Sequence, residues 1–166
     1  MLAMLTRAVA SGAPLRAAWY DIAVESRGQV VKAMVLICRP RDGALLVSEE
    51  VNPSGEVFHR PLGGHVEFGE YAMDTVHREF QEEIGQALTG VRLAGVLENI
   101  FVWGGATKHE IVFVFTAAFA DEAAYEIGEQ AILDTPNRTR VIWRAAGAAS
   151  PPLYPEGVAD LAGARG

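Results

Sequence analysis

Three glutamates, Glu79, Glu82 and Glu83, stand at positions i, i+3 and i+4. On an α-helix that spacing puts all three carboxylates on one face. Like charges so placed repel by roughly 0.2–0.5 kcal/mol per pair, so a helix built for stability alone gains nothing from them. Three clustered oxygens suit a hard divalent cation, and Mg2+ accepts carboxylates while keeping several waters. Those waters can bridge to phosphate oxygens, or one can become a nucleophile. The plain structural alternative is a solvated acidic face, and three glutamates alone do not separate the two readings.

The surrounding residues shift the balance. Gly63 and Gly64 permit a tight turn in which backbone approaches a ligand closely. Glu70 stands eight positions before Arg78, and a salt bridge between them would tie the preceding loop to the helix. Glu67, Glu70, Asp74, Glu79, Glu82 and Glu83 put six of the 21 acidic residues into 17 positions, with Arg78 the only lysine or arginine among them.

The elements that must hold these residues follow from the apolar pattern. Residues 71–84 carry Ala72, Val76, Phe80 and Ile84 at every fourth position, with Met73 beside them and Gly85 as the terminating glycine. Residues 29–38 (QVVKAMVLIC) read as a strand buried on both faces. A turn at 39–43 leads to a strand at 44–47, and 57–60 is a short strand that delivers the chain to Gly63. Residues 91–102 hold one or two strands, 103–108 a flexible hairpin loop, 110–119 a buried strand and 140–143 a last one. A proline-rich break at 150–155 precedes a short helix at 156–162. Helices alternating with buried strands give an α/β or α+β sandwich with its sheet covered on both sides.

Written out, the central segment is GGHVEFGEYAMDTVHREFQEEIG. It resembles the signature box of the Nudix hydrolases, with each acidic, basic and glycine position in place. Gln86 is the one departure, standing where the family usually has an aliphatic residue; it touches helix-end packing. The resemblance extends over residues 20–147, and FHRPLGGHVEFGE with LENIF and HEIVFVF resembles a bacterial, MutT-like branch. It implies an α/β/α sandwich with a mixed sheet and a loop–helix catalytic unit, residues 1–19 being an extension or edge element and 148–166 packing on the same domain.

The resemblance also implies an activity. The family hydrolyses a nucleoside diphosphate linked to another moiety X, with Mg2+ or Mn2+. On this chain Glu79, Glu82 and Glu83, with the Gly63 carbonyl, would hold metal, while Arg78 and Glu70 would orient the loop–helix unit. The general base is Glu79, or Glu126 or Glu129 on a later loop. A homodimer accords with the family.

Substrate contacts fall outside the box. Phe58, Phe68, Phe101 and Trp103 could stack on a base, against a core role for each; Trp103, beside Gly104 and Gly105, is the most exposed of them on this reading. Arg60 could bind phosphate bidentately or form a surface ion pair. His65 and His77 read as solvent-facing, and Glu110 as a strand-end charge or an extra ligand. Cys38 reads as a core residue. The proline of ADP-ribose hydrolases is absent, since Ile100 and Phe101 stand in its place. Phe101 is aromatic where dinucleoside polyphosphate hydrolases carry tyrosine.

Composition bounds the rest. The 166 residues suit one domain, and 50% hydrophobic with 21% charged residues exclude a largely disordered chain. A net charge of −7 opposes duplex nucleic-acid binding by charge alone, though a metal ion can reverse the local sign. One cysteine allows no internal disulfide, and no apolar run reaches the ~20 residues of a membrane span. A cytoplasmic enzyme acting on a small nucleotide is the leading reading. The rivals are a Nudix-like ligand-binding domain and a partner-binding domain with an acidic surface helix.

Overall fold

The computed structural model describes residues 28–126, 128–133 and 139–163. The expected extension at 1–19 and the start of the expected domain at residue 20 lie outside them. Two four-stranded sheets share the described residues. The first has the order β4–β1–β6–β5, from β1 (Val30–Leu36), β4 (Gly63–His65), β5 (Leu88–Trp103) and β6 (Ala106–Phe119). It is mixed, because β1 runs parallel to β6 and every other pairing is antiparallel. The second has the order β3–β2–β8–β7, from β2 (Leu45–Val51), β3 (Val57–Arg60), β7 (Gln130–Ala131) and β8 (Arg140–Arg144), and is antiparallel throughout. Among the described residues two α-helices, α1 (Ala72–Ile84) and α2 (Val158–Gly163), and a 3-10 helix at Glu122–Glu126 accompany the sheets.

The near-continuous apolar run of β1 has a direct cause. Ala33, Val35 and Ile37 join the core cluster that holds Val76, Phe80 and Ile84 of α1. Met34 and Leu36 join a second cluster with Val47, Val112, Val114 and Val158. A strand with core on both faces cannot alternate. Lys32 is the exception on β1; it is buried too, and pairs with Glu110.

Helix α1 forms where its four-residue period predicts, with Val76, Phe80 and Ile84 buried and Met73 left exposed. Gly85 ends it in the left-handed region at φ 67°, its N–H donating to the Gln81 carbonyl while Gln86 N–H donates to that of Phe80. Those two bonds satisfy carbonyls the helix end would otherwise leave open.

Several elements differ from the sequence expectation. The span 91–102, expected to hold one or two strands, is one strand as expected but runs longer, 88–103, with an irregularity near Thr89–Gly95. The flexible loop expected at 103–108 is a two-residue turn: Gly104 and Gly105 both have positive φ, and Trp103 pairs with Ala106 across it. Two glycines supply the backbone that a tight hairpin needs. Strand β2 runs on to Val51, and the short strands β4 and β7 add to the pattern. Among the described residues, no helix is long and apolar enough to cross a membrane.

Candidate active site

Strand β4 brings the glycine turn to the helix. Gly64 pairs with Ala33 and Gly63 with Met34. At Gly63, with φ 136°, an added Cβ would lie 2.2 Å from the Ala33 carbonyl oxygen, so backbone packing alone demands glycine there. At Gly64 an added Cβ would lie 2.2 Å from Glu79 Oε1. The second glycine therefore makes room for a carboxylate.

Arg78 is the hub of the loop–helix unit. Its Nε donates to Glu70 Oε1 at 2.9 Å and its Nη2 to Glu70 Oε2 at 3.0 Å, a two-pronged bond between guanidinium and carboxylate. Nη2 also donates to the His65 carbonyl at 3.0 Å. Nη1 donates to Glu79 Oε1 at 2.7 Å and to Glu82 Oε2 at 3.1 Å. Glu70 accepts two further bonds, from Thr75 Oγ1 at 2.8 Å and from the Glu67 N–H at 3.0 Å. The Arg78 bond, with those two, holds the Glu70 carboxyl at about 2, well below its ordinary 4.5. The Glu70 bond likewise pushes the Arg78 guanidinium up. The salt bridge that the eight-residue spacing anticipated is thus present, and it ties the 65–70 loop to α1.

Glu83 takes a different partner. Its Oε2 accepts the Gly63 N–H at 3.2 Å. From one helix face, Glu79 and Glu82 thus meet at Arg78, with Glu79 also against Gly64, while Glu83 reaches the Gly63 N–H. Among the described residues, no three such side chains already close around a common point. The donor set still fits a hard cation in type and face, because Glu79 and Glu82 already converge on a single positive group, Arg78 Nη1.

Beyond β4 a polar row crosses the first sheet. His65 pairs with Lys32, and Asn99 with Glu110. Lys32 Nζ lies 2.8 Å from Glu110 Oε1, with both side chains about nine-tenths buried, and Asn99 Nδ2 donates to Glu110 Oε2 at 3.1 Å. Burial opposes the Glu110 charge, but Lys32, Arg60 and Asn99 outweigh it and hold the carboxyl below its usual range. Glu110 is thus a buried, paired carboxylate, and the strand-end reading is corrected. Arg60 is close enough to act on Lys32, and lies 3.7 Å from Glu50.

Three of the four aromatic candidates come together. Phe58 meets Trp103 edge-on at 5.9 Å, and Trp103 meets Phe101 at 6.5 Å. Trp103 keeps 38% of its surface exposed. Phe68 is separate and fully exposed, so a core role fails for it. His77 faces solvent as expected, and so does His65. The candidate bases on the later loop are held elsewhere: Glu126 by Arg41 at 2.8 Å and Glu129 by Arg140. An open apolar hollow beside the start of α1, lined by Val66, Tyr71, Met73, Leu93, Phe113 and Phe115, takes none of the three glutamates. Sequence reasoning missed Tyr154, whose ring lies 6.0 Å from Phe58. The proline-rich break that carries it gave no sign of where it would dock.

The NUDIX domain model matches residues 28–144. The chain belongs to the Nudix family. The MutT NUDIX hydrolase from Burkholderia pseudomallei is 26% identical, with a TM-score of 0.59 over 82% of this chain and 96% of that one. The dihydroneopterin triphosphate pyrophosphohydrolase of E. coli shares the fold at 19% identity, with a TM-score of 0.50 over 70% of this chain and 80% of that one. No curated protein matches. This Nudix protein is accordingly a hydrolase of the Nudix type, and the arginine hub lies within its Nudix box.

Two outcomes follow from the geometry. Gly63→Ala, which drives a Cβ into backbone, lowers the melting temperature. Gly64→Ala meets only the mobile end of Glu79; it leaves the melting temperature near wild type but displaces that carboxylate and cuts turnover. Equal thermal losses in both variants would refute the distinction. The second outcome concerns acid. A carboxyl held at about 2 when folded stabilises the fold above its unfolded value, and that share is lost as pH falls from about 4.5 toward 2. Urea unfolding of Glu70→Gln therefore shows a shallower loss of stability across that window than wild type.

Proposed function

We propose that this Nudix hydrolase cleaves a diphosphate linkage in a nucleoside diphosphate joined to a second moiety, and that it depends on Mg2+ or Mn2+. The observation that carries the reading is the convergence of Glu79 and Glu82 on Arg78 Nη1, with Glu83 on the Gly63 N–H. Glu79, Glu82, Glu83 and the Gly63 carbonyl would hold the metal. When bound, the metal would offset the negative charge that builds on the phosphate oxygens during cleavage.

The chain's own groups divide the remaining work. Glu79 is our assignment for the group that accepts a proton from the attacking water. It is largely buried and stands against Gly64, whereas Glu126 and Glu129 are largely exposed. Arg78 and Glu70 fix the loop–helix unit in register. Arg60, only loosely paired with Glu50 at 3.7 Å, is available for a non-reacting phosphate. Phe58, Phe101 and Trp103 would flank a planar ring. A ligand-binding domain without turnover is the rival, and the full set of acidic residues in the box favours an enzyme.

A homodimer belongs to the same proposal. Strand β5 is a sheet edge, and Leu93, Val96, Ile100 and Val102 stand exposed along it, as a paired surface would require. Light scattering should return twice 17.8 kDa; a monomer at micromolar concentration removes this part.

The central test offers nucleotide sugars, dinucleoside polyphosphates, nucleoside triphosphates and oxidised deoxynucleotides with Mg2+ or Mn2+, and measures phosphate after phosphatase coupling. One class is turned over only with metal present. Glu82→Gln and Glu83→Gln each lower the rate by about 100-fold or more while the melting curve stays cooperative. Wild-type rates in either variant defeat the site assignment.

A further inference from the structure

The C-terminal segment carries a feature that the reaction chemistry does not use. Arg144 closes β8 and is 7% exposed. A buried guanidinium is costly unless its donors are met. Here Nη1 donates to the Pro151 carbonyl at 2.6 Å and Nη2 to the Ala148 carbonyl. Nη1 also lies 2.8 Å from His59 Nδ1. An arginine can only donate, so Nδ1 accepts, His59 is neutral, and its Nε2–H is directed at Glu49, 3.4 Å away. Burial, ahead of any other influence, lowers the His59 pKa and favours this neutral form.

The same histidine fixes the segment by its backbone. His59 N–H donates to the Pro152 carbonyl at 2.8 Å, and Tyr154 N–H donates to the His59 carbonyl at 2.9 Å. Residues 148–154 thus form a strap along the outer edge of β3. Leu153 packs into the second core cluster. Tyr154 instead meets Phe58 and leaves 47% of its surface open. A tyrosine pinned by its own N–H on a strap held by backbone carbonyls, yet half exposed, has been positioned without being buried.

Its neighbours show what it is positioned for. Phe58 also touches Trp103, and Trp103 touches Phe101. Phe101 lies two residues along β5 from Asn99, on the same face, and Phe58 two residues along β3 from Arg60. From Arg78 the polar row runs through His65, Lys32, Glu110 and Asn99 toward these rings.

Resting on the proposed nucleotide reading, we propose that the strap supplies one wall of the subsite for the substrate's planar ring. Tyr154 is a specificity-determining residue of that wall, and Arg144 is the positioning residue that sets it against Phe58. The ligand feature recognised is an aromatic ring carried by the diphosphate.

The test uses the full chain with Mg2+. Calorimetry gives affinities for the α,β-methylene diphosphates of adenosine, guanosine, cytidine and uridine, and for methylenediphosphonate, which lacks a ring. Tyr154→Ala weakens the tightest nucleoside ligand about tenfold or more and leaves methylenediphosphonate unchanged. Tyr154→Phe, which keeps the ring, retains wild-type affinity. Arg144→Ala gives the same ring-selective loss, and adding it to Tyr154→Ala costs nothing more, since both act through one side chain. The inference is overturned if Tyr154→Ala is silent, or if it weakens the ringless ligand equally. Additive losses in the double variant overturn the role of Arg144. Wild-type protein that binds methylenediphosphonate as tightly as every nucleoside ligand sinks the subsite but leaves the hydrolase reading standing. Failure to bind any of the five removes both.

Discussion

The guanidinium of Arg78 is the interaction on which the rest of the site depends. It spends Nε and Nη2 on Glu70, Nη2 again on the His65 carbonyl, and Nη1 on Glu79 and Glu82. A lysine could not do this, because its ammonium is a point charge without a planar fork. The bonds work in two directions. Those to Glu70 and His65 fasten the loop to the helix, and those to Glu79 and Glu82 offset repulsion between carboxylates a turn apart. One positive charge does not balance three glutamates, however. The face keeps a deficit that a cation would fill, and the deficit lies where the glycine turn leaves backbone and space.

That turn is placed by β1. Its two-faced burial fixes the strand between α1 and the second core cluster. Gly63 and Gly64 pair against it, and the close approach of Gly63 to the Ala33 carbonyl allows no side chain. The Gly63 N–H then reaches Glu83. Core packing and site geometry are therefore linked by one short strand, and a change in the register of β4 would move the carboxylate partner along with the backbone.

What could be read from the sequence was local. The four-residue period of α1, its terminal Gly85 and the spacing of Glu70 from Arg78 all act within one helix and its flanking loop, and each is found in place. What could not be read depends on distant partners. Lys32 lies in a run that reads as buried and Glu110 reads as a strand-end charge, and only the pairing of β1 with β6 brings them together across nearly 80 positions. Strand β4 is three residues long and exists only because β1 offers it an edge. Phe68, which an apolar count would place inside, sits on a loop that no element covers. Arg144 and Tyr154 gave no periodic signal, because their roles come from a strap whose bonds are to backbone.

The net charge of −7 gains a physical meaning from this arrangement. Bare acid repels phosphate, so a cluster that worked alone would turn a nucleotide away. On the proposed reading, cations held at one end would let the same surface attract the diphosphate, and its sign at that end would depend on metal. The far end has no such dependence. Phe58, Phe101, Trp103 and Tyr154 present apolar rings, whose attraction for another ring varies little with salt or metal. On that reading, reaction and recognition would rest on different forces, one electrostatic and borrowed from solution, the other dispersive and built into the chain. Separating them in space would let loops and the C-terminal strap vary the ring that is recognised while the arginine hub stays fixed.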